Sequence, residues 1–312
     1  MKNKQTTNTV LMIEPIAFGF NEETAADNVF QKNDAVPPEQ IQKQALAEFQ
    51  LLKSKLERAG IEVITVRDTP HPHTPDSIFP NNWISLHEDG TAALYPMYAP
   101  SRRTERREDI LDILEENGFI INEIQDYSNA ENENIFLEGT GSMVLDRKNK
   151  IAYAAVSERT NEELFIEFCE DFEYDPILFH ASQNIGEEEV PIYHTNVLMS
   201  VGENFALICF NLIKDLKERK LVSDFLRVSG KKIIPLSEEQ INCFAGNALE
   251  VATKSGEQYL VMSNTAYQSL NIGQIDTIEK HCKLLVADLS TIERYGGGSA
   301  RCMLAEVFLP RK

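Results

Sequence analysis

Five residues with reactive or hydrogen-bonding side chains recur at nearly constant spacing: Asp76, Glu138, His194, Asn247 and Cys302, separated by 62, 56, 53 and 55 residues. Between them one pattern of elements returns. A helix-like stretch, Glu39–Ala59, closes on Gly60 and leads into Ile61–Val66. Ser101–Asn117 ends at Gly118 before Phe119–Ile121, and Thr160–Glu170 precedes Ile177–Phe179. Leu212–Val228 ends near Gly230 before Lys232–Ile234, and Gln274–His281 precedes Leu284–Val286. Glycine just past a helix suits a left-handed cap, and the β-branched runs that follow suit buried strands. Paired strand candidates lie upstream of the helices: Ile78–Leu86 with Ala92–Tyr95, Met143–Leu145 with Ile151–Ala155, and Val197–Val201 with Phe205–Phe210. The unit is therefore β-β-α-β, about 55 to 60 residues long and repeated five times. Periods of this size point to arrays or propellers, where equivalent points of successive units converge on one axis.

No linker or low-complexity tract divides the 312 residues, so they are expected to form a single domain. Hydrophobic residues at 42% and charged residues at 25% are normal for a folded soluble chain. The net charge of −19 argues against nucleic acid or an anionic membrane as partner, because phosphates require a basic surface. Acidic patches such as Glu131–Glu133, Glu167–Asp175 and Glu187–Glu189 suit a solvated surface. No apolar run approaches the roughly 20 residues of a membrane span, and the basic start from Met1 and Lys2 leads to no signal core. The five cysteines are odd in number and lack CxxC spacing, which speaks against both a disulfide framework and a thiolate metal site. A reducing cytoplasm is the expected setting, with no metal and no cofactor.

The local text around the recurring residues carries the chemistry. Cys302 follows Tyr295-Gly296-Gly297-Gly298-Ser299-Ala300-Arg301, where glycines let a ligand approach the main chain. Cys169, Cys209 and Cys282 sit in helix or strand contexts and are expected to be buried small hydrophobes. His194, at the start of an apolar strand in Pro191-Ile192-Tyr193-His194-Thr195-Asn196, could supply the base that a nucleophilic thiol needs. His71 and His73 lie among prolines with no further metal ligands nearby. Glu138, in Phe136-Leu137-Glu138-Gly139, ends an apolar strand, and a buried carboxylate there implies a cation or imidazole beside it. Asp76 stands in Thr74-Pro75-Asp76-Ser77-Ile78-Phe79-Pro80-Asn81-Asn82-Trp83, where turn chemistry alone could also explain the residue types.

Taken together, these segments resemble the amidinotransferase or pentein superfamily of arginine deiminases, amidinotransferases and dimethylarginine dimethylaminohydrolases. The resemblance extends from Met12-Ile13-Glu14-Pro15 to Cys302 and looks nearest to the bacterial citrulline utilization hydrolases. Its marks, in order, are Ala99-Pro100-Ser101-Arg102-Arg103, Leu-Glu-Gly, Ser157-Glu158-Arg159-Thr160-Asn161, the strand-leading His194 and Gly-Gly-Gly-x-x-Arg-Cys-Met. It implies a five-bladed α/β propeller of ββαβ units with pseudo-fivefold symmetry, in agreement with the repeat. It also implies Cys302 as nucleophile, His194 as general acid/base and Glu138 as its partner. Asp76 would hold the substrate guanidinium. Arg102 and Arg159 would bind the α-carboxylate of an amino acid, with Arg103 and Arg301 as alternatives.

Where relatives carry acidic residues against the guanidinium, this chain has Asn81 and Asn82; where others have Asp two residues after the histidine, it has Asn196. Amides both donate and accept, which suits a neutral ureido group better than a cation. The resemblance thus implies hydrolysis of a C–N bond in a guanidino- or ureido-containing amino acid. Amidino transfer to an amine and ligand binding without catalysis are the two alternatives, and a homo-oligomer is compatible with either.

Overall fold

The computed structural model describes residues 3–26, 28–186 and 188–312. Met1 and Lys2 of the basic start and Glu187 of one acidic patch lie outside them. Seventeen strands form among the described residues. The first two, β1 (Thr9–Glu14) and β2 (Glu62–Arg67), are followed by β3 (Ile84–Leu86), β4 (Thr91–Leu94) and β5 (Glu123–Asp126). Then come β6 (Met143–Asp146), β7 (Ile151–Ala155) and β8 (Asp175–Phe179), and a hairpin of β9 (Ser182–Ile185) and β10 (Glu188–Pro191). The remainder are β11 (Met199–Val201), β12 (Phe205–Ile208), β13 (Lys232–Pro235), β14 (Leu249–Ala252), β15 (Gln258–Ser263), β16 (Lys283–Ala287) and β17 (Ala305–Glu306).

Apart from the hairpin, these strands make five separate three-stranded sheets: β3-β4-β5, β6-β7-β8, β11-β12-β13, β14-β15-β16 and β17-β1-β2. In each, the first strand runs antiparallel and the third parallel to the middle one. Helical segments fill each parallel crossover, as a parallel connection demands. The fold is mixed α/β. One unit draws on both ends of the chain, because β17 pairs with β1 through Val10–Glu306 and Leu11–Ala305. Hydrophobic faces pack between sheet and helix: Ile41, Ala45, Phe49, Leu52 and Leu56 of the helix Pro38–Ala59 are buried against the core that includes Met303 and Leu304.

Several expected elements are shorter or displaced, each for an identifiable reason. Ser101–Asn117 is not one helix but two, Pro100–Arg103 and Asp109–Glu116. Between them Arg106 reaches the Tyr95 carbonyl and Glu131, and Arg107 reaches the Arg67 carbonyl. Phe119–Ile121 does not enter the sheet: Phe119 bridges to Arg311, and the Ile120 N–H donates to the Pro310 carbonyl. The third strand forms instead at Glu123–Asp126, with little apolar signal. The expected strand Ile78–Leu86 begins only at Ile84, after a 3-10 turn, Pro80–Asn82, opened by the proline. Leu212–Val228 begins at Leu216, where the Asp215 side chain accepts from the Lys217 and Glu218 N–H groups; such a cap is worth about 1 kcal/mol. Among the described residues, no helix is long and apolar enough to cross a membrane.

Candidate active site

Four of the five recurring residues occupy the same place in their units: just upstream of a first strand, at Glu138 before β6, His194 before β11, Asn247 before β14 and Cys302 before β17. Asp76 also precedes β3, with the turn Pro80–Asn82 between. Contrary to the expectation from the sequence, His194 does not lead directly into a strand and Glu138 does not end one. Each is followed by one helical turn, Thr195–Leu198 and Gly139–Ser142. The two turns are stitched together: the Thr195 hydroxyl donates to the Ser142 carbonyl at 2.5 Å and accepts from the Ala155 N–H at 2.7 Å. Gly141 lies where they meet. A Cβ there would fall 2.3 Å from Asn82 Nδ2 and 2.9 Å from the His194 ring, so only glycine permits this approach.

The two turns bring Glu138 and His194 together. Nε2 of His194 lies 2.8 Å from Oε2 of Glu138, and Nη1 of Arg159 lies 3.5 Å from the same oxygen. The other carboxylate oxygen accepts from the Tyr98 N–H at 2.9 Å. Burial works against the Glu138 charge, but the Arg159 charge and the His194 hydrogen bond hold its carboxyl well below the usual range. Burial depresses the His194 imidazole, opposed by its bond to Glu138. Both side chains are almost completely buried.

His194 and Cys302 line one small cavity together with Asp76, Asn82, Arg102, Arg159, Tyr193, Phe79 and the three glycines 296–298. The cavity measures about 20 Å³, room for roughly one water molecule. It is closed by an N-terminal segment in which Asn21 Nδ2 donates to Asp76 Oδ2 at 2.8 Å and the Thr24 hydroxyl lies 3.2 Å from the same oxygen. The Thr24 carbonyl accepts from Arg159 at 3.1 Å, and Asn28 and Gln31 donate to carbonyls of the glycine run and Tyr295. Gly297 adopts φ 62°, a left-handed conformation, and a Cβ there would fall 2.4 Å from Asn28 Nδ2 and 2.6 Å from Gln31 Cγ.

Asp76 differs from Glu138. Burial raises its carboxyl above the usual range, although the Arg102 charge and the Asn21 and Thr24 donors oppose this. Its Oδ1 has no hydrogen-bond partner among the described residues, and neither has Asn82 Nδ2. Arg102 is held by Glu105 through both Nε and Nη2, and donates from Nη1 to Asn82 Oδ1 at 2.8 Å. Glu105, fully sequestered three residues from Arg102, had only its Arg-x-x-Glu spacing to signal this role. Of the remaining candidates, Asn81 and Asn196 are buried but do not line the cavity. Arg103 is engaged by the Met97 and Tyr98 carbonyls, and Arg301 pairs with Glu306 at 3.0 Å beside a different cavity. Among the described residues, no group of three His, Cys, Asp or Glu side chains could hold a metal ion.

The family model for eukaryotic N,N-dimethylarginine dimethylhydrolase matches residues 14–309. The chain belongs to that family. No curated protein matches the chain in sequence. Solved structures share the fold of this dimethylarginine dimethylhydrolase family member. The apo arginine dihydrolase ArgZ of the ornithine–ammonia cycle in cyanobacteria superposes with a TM-score of 0.73 over 97% of this chain at 16% identity. This chain spans 41% of the length of that protein. The N-terminal domain of ArgZ bound to product gives a TM-score of 0.68 at 17% identity, covering 97% of this chain and 99% of the domain. A mutant DDAH from Pseudomonas aeruginosa complexed with citrulline gives 0.63 at 15% identity, covering 97% and 100%. At such identities the likeness establishes the fold.

Proposed function

We propose that the protein is a thiol-dependent hydrolase acting on a C–N bond of a guanidino- or ureido-containing amino acid through a covalent intermediate on Cys302. The observation that carries this is the meeting of Cys302 with a Glu138-bonded His194 on one buried cavity that Asp76 also lines. The Cys302 thiolate attacks the central carbon of the substrate group, and His194 delivers a proton to the departing ammonia or alkylamine. The result is a thiouronium or thiocarbamate. His194 then takes a proton from water, which attacks the same carbon, and the carbon–sulfur bond breaks to return the thiolate. Glu138 fixes the imidazole orientation and stabilises its protonated form. Asp76 and Asn82 receive the nitrogens and oxygen of the substrate group, while Arg159 and the Glu105-held Arg102 supply positive charge toward the α-carboxylate.

Family membership supports this reading, as do the structural neighbours, which include an arginine dihydrolase domain bound to product and a DDAH complexed with citrulline. The five sheets are the blades of a five-bladed α/β propeller with pseudo-fivefold symmetry, and β17, β1 and β2 join the chain ends in one blade. Shared sheet topology and the common position of the recurring residues support that architecture. A 20 Å³ cavity cannot hold an amino acid, since ligand sites of this kind span roughly 300–1,000 Å³. Substrate entry therefore requires the Asn21–Thr24 contacts on Asp76 to separate.

A guanidinium offers donors only, whereas a ureido group also offers a carbonyl acceptor. The unpaired donor at Asn82 Nδ2 therefore favours a citrulline-like substrate, beside the unpaired acceptor at Asp76 Oδ1. The test is a product assay by mass spectrometry on arginine, citrulline, agmatine and methylated arginines. Release of ammonia or alkylamine from one of them is expected. Transfer to an added amine without hydrolysis, or no turnover of any of them, would overturn the proposal.

A further inference from the structure

We infer that Asn247 is a further catalytic residue, donating its side-chain N–H to Cys302 Sγ and so stabilising the thiolate form of the nucleophile. The inference rests on Cys302 being the nucleophile, and goes beyond the trio of Cys302, His194 and Glu138. Asn247 is almost fully buried, and its Nδ2 lies 3.1 Å from Sγ. Its orientation is fixed from both sides. Oδ1 accepts from the Arg301 N–H at 3.0 Å, and Nδ2 also faces the Asn196 carbonyl at 3.3 Å. Reversing the amide would set its oxygen against that carbonyl and its NH₂ against the Arg301 N–H, so both contacts oppose the flip.

A second amide points the same way: Asn196 Nδ2 lies 3.5 Å from Sγ. Among the described residues, the hydrogen bonds that reach Sγ come from these two amides. His194, by contrast, has its Nε2 committed to Glu138. A hydrogen bond from a fixed donor stabilises the charged form of its acceptor, and the nucleophile in thiol chemistry is the thiolate, whereas a free thiol of pKa near 8.5 is mostly protonated at neutrality. An amide meets this need where an isosteric carboxylate would oppose it. Asn247 also stands at the fourth of the five recurring positions, so one further unit contributes to the same sulfur.

The decisive variant is Asn247→Asp, which keeps the acceptor for the Arg301 N–H and replaces the donor facing Sγ by oxygen. Iodoacetamide alkylation of Cys302, located by peptide mass spectrometry, is followed against pH in the intact protein. The midpoint should move up by about one unit or more, and kcat lost at neutral pH should return as the pH is raised. Asn247→Ser provides a neutral replacement with a shorter reach, for which a smaller shift in the same direction is expected. A midpoint unchanged in either folded variant, whatever happens to kcat, would overturn the inference. Full turnover in Cys302→Ser would instead overturn the nucleophile assignment, so the two failures are distinguishable.

Discussion

Glu138 and Asp76 are both buried carboxylates of the same site, yet their surroundings push them in opposite directions. Around Glu138, both oxygens are hydrogen-bonded and Arg159 and His194 supply compensating positive character. Around Asp76, Oδ1 is left without a partner, Oδ2 is met by neutral groups of the closing segment, and Arg102 stands at 4.0 Å with Glu105 sharing its charge. A buried charge with all its bonds made is preorganised machinery, and one with bonds left over is a receptor for whatever completes them. On the proposed function, the contrast separates the chemical half of the cleft from the recognition half.

Both halves serve the sulfur, so Cys302→Ser should produce the largest change. Turnover is expected to fall by about four orders of magnitude or more, on the scale seen when an enzyme loses its nucleophile. The melting temperature should stay close to that of the parent, because the replaced atom is small. Iodoacetamide should label Cys302 before Cys209 or Cys282, both of which burial pushes up. Preferential labelling of either would mean that the sulfur on the cavity wall is not the activated one.

Next comes Glu138→Gln. Loss of the imidazole partner should lower kcat by about 10²–10⁴, the usual range for general acid–base groups. It also strands Arg159 and His194 beside a neutral amide, and breaking a buried pair from one side costs about 3–5 kcal/mol. The sign with pH follows from the depressed carboxyl. Its stabilising contribution is present above the unfolded value of 4.5 and is lost as pH falls through the folded one. Urea denaturation should therefore show the variant's deficit shrinking below about pH 4.5. A deficit that is constant with pH would mean that packing, not charge, makes Glu138 the finished half.

How the halves appeared in the sequence follows the same division. Glu138, His194 and Cys302 were legible because each sits upstream of the first strand of a repeated unit, and repetition of position survives where sequence identity does not. The closing contacts from Asn21, Thr24 and Asn28 were not, because they come from a stretch with no hydrophobic period and only tertiary approach gives them partners. Glu105 was hidden for a related reason: Arg102 read as a ligand arginine, and only the Arg-x-x-Glu spacing hinted that a buried carboxylate already claims it. The assembly of β17 with β1 and β2 was likewise silent, since Ala305–Glu306 is too short to carry a strand pattern. Val197 and Leu198, in the helical turn after His194, read as strand because both are apolar and buried.

Asp76→Asn should separate stability from binding. Because burial raises this carboxyl, its ionised form costs stability in the folded protein, a cost that appears as pH rises through the folded value. The amide should therefore leave the protein as stable as the parent at pH 7, or more so. Affinity for a cationic guanidino ligand should fall by up to about a hundredfold, the loss of a charge-assisted hydrogen bond of roughly 1.5–3 kcal/mol. Calorimetric titration and thermal melting measure both. If the variant is destabilised as much as Glu138→Gln, Asp76 belongs with the finished half and the comparison collapses.

The smallest effect, and the sharpest, is expected from Asn82→Asp. Asn82 lines the cavity; its Oδ1 already accepts from Arg102, whereas its Nδ2 is buried without a hydrogen-bond partner among the described residues. The exchange keeps the first contact and turns the second from a donor into an anionic acceptor. A ureido oxygen facing that point would lose its hydrogen bond, and a guanidinium N–H would gain one. The ratio of citrulline-like to arginine-like affinity should drop by about tenfold, the lower end of the range for a charge-assisted bond with Arg102 close enough to damp it. Competitive binding of citrulline and arginine to a Cys302→Ser background measures the ratio without turnover. A parent protein that already binds arginine far more tightly than citrulline would break the assignment. Asp76 alone would then set the charge preference, and the unpaired amide would face a part of the substrate common to both.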